Sequence, residues 1–139
     1  MDDVERCVAE SQIRNVIGRL AHLADGNDLD EYISLFTDDA VWEGSRSSVR
    51  VGKEDILAGA RQRRADGLQG TGSASRHIVT TQWVHVEDAH DATSQSYWMV
   101  LTDANTTPVV LATGRYDDTL RFEKGAWKLA RRKAVGDVN

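Results

Sequence analysis

Histidine is the side chain best suited to acid–base chemistry near neutral pH, and the sequence contains four. His22 lies opposite the apolar stripe of a predicted helix and His90 lies in a turn, so we expect both to be exposed. His77 and His85 are predicted on one face of a single strand, where eight residues separate them by about 26 Å. That distance is too long for a shared zinc site, and paired cysteines and a His-Glu-x-x-His motif are absent. We therefore predict no metal site.

Two residues stand out as candidates for proton transfer. His77 opens a predicted strand after a glycine-rich loop, where it either makes a structural hydrogen bond or acts as an acid or base. Asp25 lies at the C-terminal edge of the first helix, directly before Gly26. The helix dipole disfavours a carboxylate there, which hints at a purpose beyond ending the helix. Asp38 and Asp39 are better explained as a solvated turn. The residue pattern alone leaves the roles of Asp25 and His77 open.

The elements that must position these residues follow the order ααββα and then four strands. Helical spacing of apolar residues predicts helices over about 7–24, 29–36 and 53–65. A period of two predicts strands at about 40–44, 48–52, 76–87, 92–102, 108–122 and 126–135. Short turns join the last four strands, so we expect antiparallel pairing. This order predicts an α+β fold, with helices packed against one face of a curved antiparallel sheet.

Composition and charge exclude several classes of function. The 139 residues fit a single domain, 1–139, of ordinary globular composition. A net charge of −5 does not attract nucleic acid, so we expect no such partner. No apolar run approaches the ~20 residues of a membrane span, which predicts no membrane role. Cys7 is the only cysteine, and with no signal peptide in view we expect a reducing, cytoplasmic location.

The order of short motifs resembles a known family. A helix ending in Asp25 is followed by DLDEYISLFTDDAVWEG, GKEDI, SRHIVTTQWVHVED and TGRYDDTLRFEKGAWKLARR. This arrangement, over about residues 8–135, is similar to the SnoaL-like group of the NTF2-like superfamily, and it resembles scytalone dehydratase and the hexachlorocyclohexane dehydrochlorinase. The resemblance implies a conical α+β barrel, with three helices packed on a strongly curved, mostly antiparallel sheet around one apolar pocket. It also implies a homodimer or homotrimer packed through the sheet.

The resemblance implies a function as well, because Asp25 and His77 fall where these relatives keep a catalytic Asp–His dyad. A neutral His77 bonded to Asp25 could take a proton from a carbon beside a carbonyl. We therefore expect a cofactor-independent lyase of the dehydratase type, acting on a small hydrophobic carbonyl compound such as a polycyclic ring. The alternatives are an isomerase or polyketide cyclase with the same dyad, and a non-catalytic module that binds a small ligand.

The sequence departs from scytalone dehydratase where that enzyme polarises its substrate. Ala24 and Glu43 replace its two tyrosines, and Ser96 replaces its second pocket histidine, so scytalone is not the expected substrate. We predict that aromatic residues and one arginine bind the substrate instead, with Tyr116 as first choice, followed by Tyr97, Trp42, Trp98 and Arg115, and with Tyr32 and Phe36 as pocket wall. Packing in the core is the alternative use of each aromatic ring.

Two further features could serve the pocket. Arg131 and Arg132 point to opposite faces under strand alternation, so one of them could enter the pocket while the other meets solvent. The loop at 66–75 leads directly into His77 and its three glycines permit hinge motion, so it is either a mobile lid or an ordinary surface connection.

Overall fold

The computed structural model describes residues 1–44 and 48–138. Its elements, in chain order, are α1 (Asp3–Ala24), α2 (Leu29–Ser34), β1 (Phe36–Glu43), β2 (Val49–Val51), α3 (Lys53–Ala65), β3 (Arg76–Val86), β4 (Asp91–Thr102), β5 (Val109–Glu123) and β6 (Ala126–Gly136). The predicted order of helices and strands is therefore correct. None of the described helices is both long enough and apolar enough to cross a membrane.

Helix α1 begins earlier than its apolar period predicts, because a capping box starts it. The Asp2 carboxylate accepts from the Glu5 backbone N–H at 2.8 Å, and the Glu5 carboxylate accepts from the Asp2 backbone N–H at 2.8 Å. Asp28 caps α2 and accepts from the Glu31 backbone N–H at 3.0 Å. One stripe of α1 is buried at three- and four-residue steps and faces the sheet: Ala9, Ile13, Ile17, Leu20 and Leu23.

The strands form one mixed sheet in the order β2-β1-β6-β5-β4-β3. Neighbours pair antiparallel except β1 and β6, which are parallel. A parallel neighbour is possible here because α3 and several further strands lie between β1 and β6 in the chain. The three helices lie on a curved, mostly antiparallel sheet, as predicted. In the described residues β2 and β3 form opposite edges, so the sheet is open and not a closed barrel.

The hydrophobic core fills the space between the helices and the inner face of the sheet. Its largest fully buried apolar side chains are Phe36, Ile13, Ile17, Leu20, Leu120 and Leu129. The Phe36 ring packs edge-on against Tyr32, with ring centroids 5.2 Å apart. Phe36 is therefore a core residue, which was the alternative to its predicted place in the pocket wall.

A bulge in β3 decides which of its side chains face the helices. The pairing of β3 with β4 shifts register around Thr81, whose φ is 50°. Before the bulge His77 and Val79 point inward, whereas after it Trp83 and His85 are exposed. The prediction that His77 and His85 share one face is therefore wrong, because the extra residue inverts the alternation.

A second bulge, in β6, determines which of the adjacent residues Arg131 and Arg132 points into the protein. The pairing with β5 skips Ala130, so the alternation that buries Trp127 and Leu129 is inverted beyond it. Arg132 points inward and is 4% exposed, while Arg131 is exposed and pairs with Glu43. Regular alternation from Leu129 would have placed Arg131 inside instead.

Candidate functional site

Asp25 and His77 form a hydrogen-bonded pair at the junction of α1 and β3. His77 Nδ1 lies 2.8 Å from Asp25 Oδ1, and the backbone N–H of His77 donates to both carboxylate oxygens at 3.1 and 3.2 Å. The two side chains are 8% and 21% exposed, with the histidine the more buried. Helix α1 ends at Asp25 and β3 begins one residue before His77, so the termini of two packed elements bring the pair together.

The other ring nitrogen of His77 contacts Gln69, and this contact defines the tautomer. Gln69 Nε2 lies 3.3 Å from His77 Nε2, and Arg63 Nε donates to Gln69 Oε1 at 3.1 Å. A guanidinium can only donate, so the amide oxygen faces Arg63 and the amide NH₂ faces the histidine. His77 Nε2 must then accept a hydrogen bond, which places the ring proton on Nδ1. In this arrangement the lone pair of the ring lies on Nε2, the atom that faces Gln69.

A cavity of about 510 Å³ lies between the helices and the inner face of the sheet, with His77 in its wall. This volume is within the usual range for small-molecule sites. Four of the predicted pocket residues line the cavity: Tyr32, Trp42, Trp98 and Tyr116. Gly114 lies opposite Trp98 on β5, and a Cβ there would lie 2.3 Å from the indole ring. The absence of a side chain at Gly114 therefore lets Trp98 form this wall.

Besides the core residue Phe36, two of the predicted pocket residues lie outside the cavity. Strand alternation turns Tyr97 and Arg115 away from the inward-facing Trp98 and Tyr116, which follow them directly. Tyr97 is 56% exposed, and Arg115 makes an ion pair with Asp117 at 3.0 Å on the outer face of the sheet. Neither side chain lines the cavity, so neither can polarise a molecule bound there.

A buried ion pair forms part of the cavity wall. Arg132 donates two hydrogen bonds to the Asp118 carboxylate, each 2.8 Å long, and both residues are buried. The guanidinium carbon lies 3.7 Å from the Tyr116 ring centroid and 5.7 Å from that of Trp42. Burial alone would lower the pKa of Arg132, but the negative charge and hydrogen bonds of Asp118 raise it above its usual range. Arg132 therefore remains charged inside the protein.

The phenols of the cavity remain protonated. Burial raises the pKa of Tyr116 and of Tyr32 above the ordinary tyrosine value, although the neighbouring Arg132 and Arg63 oppose that rise. At neutral pH both side chains are therefore neutral hydrogen-bond donors at the cavity wall.

Three residues of the site, Arg63, Asp118 and Gln69, were not predicted from the sequence. Arg63 follows the buried Ile56 and Ala60 at helical spacing, so its place on the inner face of α3 was available as a signal. Asp118 lies two residues after Tyr116 on the inward face of β5, where a carboxylate among apolar neighbours was also a signal. Gln69 lies in a loop without periodicity, and nothing in the residue pattern singled it out.

The remaining histidines lie outside the cavity. His85 and His90 are exposed, and His85 pairs with Glu87 at 3.2 Å. His22 is also exposed, as expected, and does not line the cavity. Among residues 1–44 and 48–138, no three histidine, cysteine, aspartate or glutamate side chains come close enough together to bind a metal ion.

Comparisons with known proteins give the same fold. The model of the SnoaL-like domain matches residues 5–133. A scytalone dehydratase-like protein from Novosphingobium aromaticivorans is 16% identical, with a TM-score of 0.83 over 99% of this chain and 89% of that chain. LinA is 17% identical, with a TM-score of 0.83 over 99% of this chain and 91% of its own. Aln2 from a Streptomyces species is 25% identical, with a TM-score of 0.81 over 92% of this chain and 90% of its own.

No curated protein matches the chain. The solved structures confirm the predicted fold, and this fold is related to those of dehydratases, isomerases and polyketide cyclases. Because the domain model covers nearly the whole length, the chain belongs to the SnoaL-like domain family of the NTF2-like superfamily.

Proposed function

We propose that the protein is a cofactor-independent acid–base enzyme of the lyase type, acting on a small hydrophobic carbonyl compound. His77 transfers the proton and Asp25 orients the imidazole. One observation supports this most: His77, held through Nδ1 by Asp25, lies in the wall of a cavity of about 510 Å³. The mostly apolar and aromatic wall fits a hydrophobic ring.

The proposed reaction begins with removal of a proton from a carbon beside the carbonyl. His77 Nε2 accepts this proton, and the Asp25 carboxylate stabilises the imidazolium that forms. If the imidazolium returns the proton to a departing hydroxyl group, water is eliminated and the enzyme is a dehydratase. If the proton returns to another carbon, the double bond moves and the enzyme is an isomerase or takes part in ring closure. All of these reactions share the first step.

A non-catalytic module that binds a small ligand is the second candidate. The observation in its favour is the contact between Gln69 and His77 Nε2, which occupies the atom that would act as the base. In such a module the cavity would hold a ligand without proton transfer.

The first step can be tested without knowing the natural substrate. 2-Tetralone is a hydrophobic ring ketone with exchangeable hydrogens beside its carbonyl, and its exchange with D₂O is followed by proton NMR. We expect the wild type to accelerate this exchange, and His77→Gln and Asp25→Asn each to reduce the acceleration by about 10²–10⁴-fold. His85→Gln is the matched control, because His85 is an exposed histidine of the same strand.

Three outcomes separate the candidates. Exchange that depends on His77 but not on His85 supports the enzyme. Wild-type exchange that persists undiminished in His77→Gln removes His77 from the mechanism. A wild type that binds 2-tetralone, measured by quenching of tryptophan fluorescence, and leaves its exchange at the buffer rate supports the binding module.

A further inference from the structure

Gln69 lies between a base and a cation at the cavity wall. Its amide oxygen accepts from Arg63 Nε at 3.1 Å, and its amide nitrogen lies 3.3 Å from His77 Nε2. All three side chains line the cavity. The side-chain amide therefore spans the space between a guanidinium donor and the lone pair of the proposed base.

The atoms of that amide correspond to those of an enolisable carbonyl compound. The amide atoms O=C–N–H run from Arg63 to His77. A ketone or ester contains the atoms O=C–C–H, joined by the same number of bonds, so its carbonyl oxygen corresponds to the amide oxygen and its acidic C–H to the amide N–H. A substrate placed there would have its carbonyl oxygen at Arg63 and its acidic C–H at His77 Nε2. Gln69 therefore marks a position in which both groups of such a substrate have a partner.

The positive charge of Arg63 is not balanced by a carboxylate among the described residues. The other cavity arginine, Arg132, is bound by both oxygens of Asp118. Among the described residues no carboxylate lies within ion-pair distance of Arg63, and its guanidinium lies 5.6 Å from the centroid of the Trp42 ring. A guanidinium without a counter-charge in a largely apolar wall interacts strongly with an oxygen that gains negative charge.

We propose that Arg63 binds the carbonyl oxygen of the substrate and stabilises the charge it gains, and that Gln69 occupies this position until the substrate displaces it. This inference rests on the proposed function and deepens it. The proton passes from the carbon to His77 Nε2, the electrons of the C–H bond form the C=C bond, and the electrons of the C=O bond move to the oxygen at Arg63. The substrate class is thus an enolisable carbonyl compound with its C=O next to the reacting carbon.

The loop that carries Gln69 permits this displacement. Gly67 and Gly70 flank it with φ values of 73° and 92°, which only glycine adopts readily. Leu68, next to Gln69, is exposed at the cavity wall. Gly67 has open space around it, whereas Gly70 packs against Asn27 and Arg64, so in the proposed displacement the backbone rotates at Gly67.

The charge role of Arg63 can be tested with 4-nitrophenol, whose phenolate resembles an enolate oxygen and absorbs at a different wavelength from the phenol. At the pH where half of the free probe is ionised, we expect the wild type to bind the phenolate preferentially. Arg63→Gln should reduce this preference at least about tenfold, because a hydrogen bond to an ionised partner is lost. Arg115→Gln is the matched control, since Arg115 is on the outer face and should leave the preference unchanged.

The proposal that Gln69 occupies the position of the substrate is tested with a second variant. Gln69→Ala should bind 4-nitrophenolate at least about threefold more tightly, because nothing then has to leave Arg63 and His77. Gln62→Ala is the control, because Gln62 is an exposed residue of α3 that bonds Asp66 instead. An unchanged affinity in Gln69→Ala would overturn the idea that Gln69 occupies the substrate's position.

These measurements do not depend on turnover, so the two proposals can fail separately. An undiminished phenolate preference in Arg63→Gln overturns the role of Arg63, whatever the outcome of the 2-tetralone exchange. A preference that is lost in Arg63→Gln supports it. If the wild type catalyses no exchange while this preference is lost, the proposed function fails and Arg63 is the anion-binding group of a binding module.

Discussion

The two arginines of the cavity differ in what holds their charge. The charge of Arg132 is balanced by a bidentate bond to Asp118, and its guanidinium stacks on Tyr116, whereas the partners described for Arg63 are neutral, among them the Gln69 amide and the Trp42 ring. A guanidinium whose charge is already balanced by a carboxylate attracts an anionic ligand less strongly, while one held by a neutral amide can exchange that amide for a charged oxygen. We therefore expect Arg132 to maintain the cavity and Arg63 to bind in it.

The pairing of Arg132 gives a prediction for stability. Asp118→Asn keeps the shape of the side chain but leaves the buried guanidinium without its counter-charge, so we expect the free energy of unfolding to fall by about 3–5 kcal/mol. Urea denaturation measures this loss. Asp117→Asn is the control, because Asp117 pairs with Arg115 on the outer face and should cost less than about 1 kcal/mol. Equal losses in the two variants would show that Arg132 does not depend on Asp118.

At the scale of residues, the sequence predicted the site residues that a local pattern or the family resemblance indicates. Asp25 and His77 were identified by their positions at the end of a helix and the start of a strand, and by the resemblance. Whether they are catalytic stays a prediction. Gln69 could not be found, because a loop without periodicity gives no indication of which side chain faces inward.

Among the elements, the two bulges determine which side chains reach the cavity. The bulge at Thr81 lets His77 face inward while Trp83 faces out, and the bulge at Ala130 turns Arg132 inward in place of Arg131. Each bulge inserts one residue into a strand that otherwise alternates regularly. Such an insertion depends on strand pairing, so the alternation seen in a single sequence does not reveal it.

Backbone strain at the first bulge gives a second prediction. Thr81 has a φ of 50°, in the left-handed region that a β-branched residue occupies at a cost of roughly 1–2 kcal/mol. Thr81→Asn should raise the free energy of unfolding by about 0.5–1 kcal/mol, because asparagine tolerates this conformation. Thr80→Asn is the control, since Thr80 lies in regular strand backbone and asparagine is a poorer strand former there. Thermal and urea unfolding measure both, and a destabilised Thr81→Asn would contradict the prediction.

The element order and most of the ends were predictable because capping residues and turns mark them. The start of β1 is the exception, since Phe36 belongs to this strand and not to the predicted second helix, and Asp38 and Asp39 lie in the strand and not in a turn. Lys53–Ala65 coincides with the predicted third helix, and the last four strands end within a residue or two of the predicted positions. The parallel pairing of β1 with β6 and the open edges of the sheet were not predicted. These features depend on which strands meet in three dimensions, and no local sequence signal specifies them.

At the scale of the whole molecule, the outer face of the sheet exposes large apolar side chains. Trp83 and Tyr97, on the neighbouring strands β3 and β4, are 61% and 56% exposed, and Ile78 on β3 is also exposed. Several large apolar side chains exposed on one sheet face commonly mark a protein–protein contact. We propose that a second copy of the chain covers it, in line with the homodimer or homotrimer implied by the resemblance.

Self-association through this face can be tested by sedimentation velocity. We expect the wild type to sediment as a dimer or trimer of the 15.4 kDa chain. The double replacement Trp83→Lys and Tyr97→Lys should shift it toward the monomer, because two charges would be buried without partners in the interface. Val4→Lys is the control, since Val4 is an exposed apolar residue on α1 and lies away from the sheet face. A wild type that remains monomeric at every concentration, or a Val4→Lys variant that dissociates as much as the double variant, would contradict the interface. Because both replaced side chains lie outside the cavity, binding of 4-nitrophenolate should remain unchanged in the monomer.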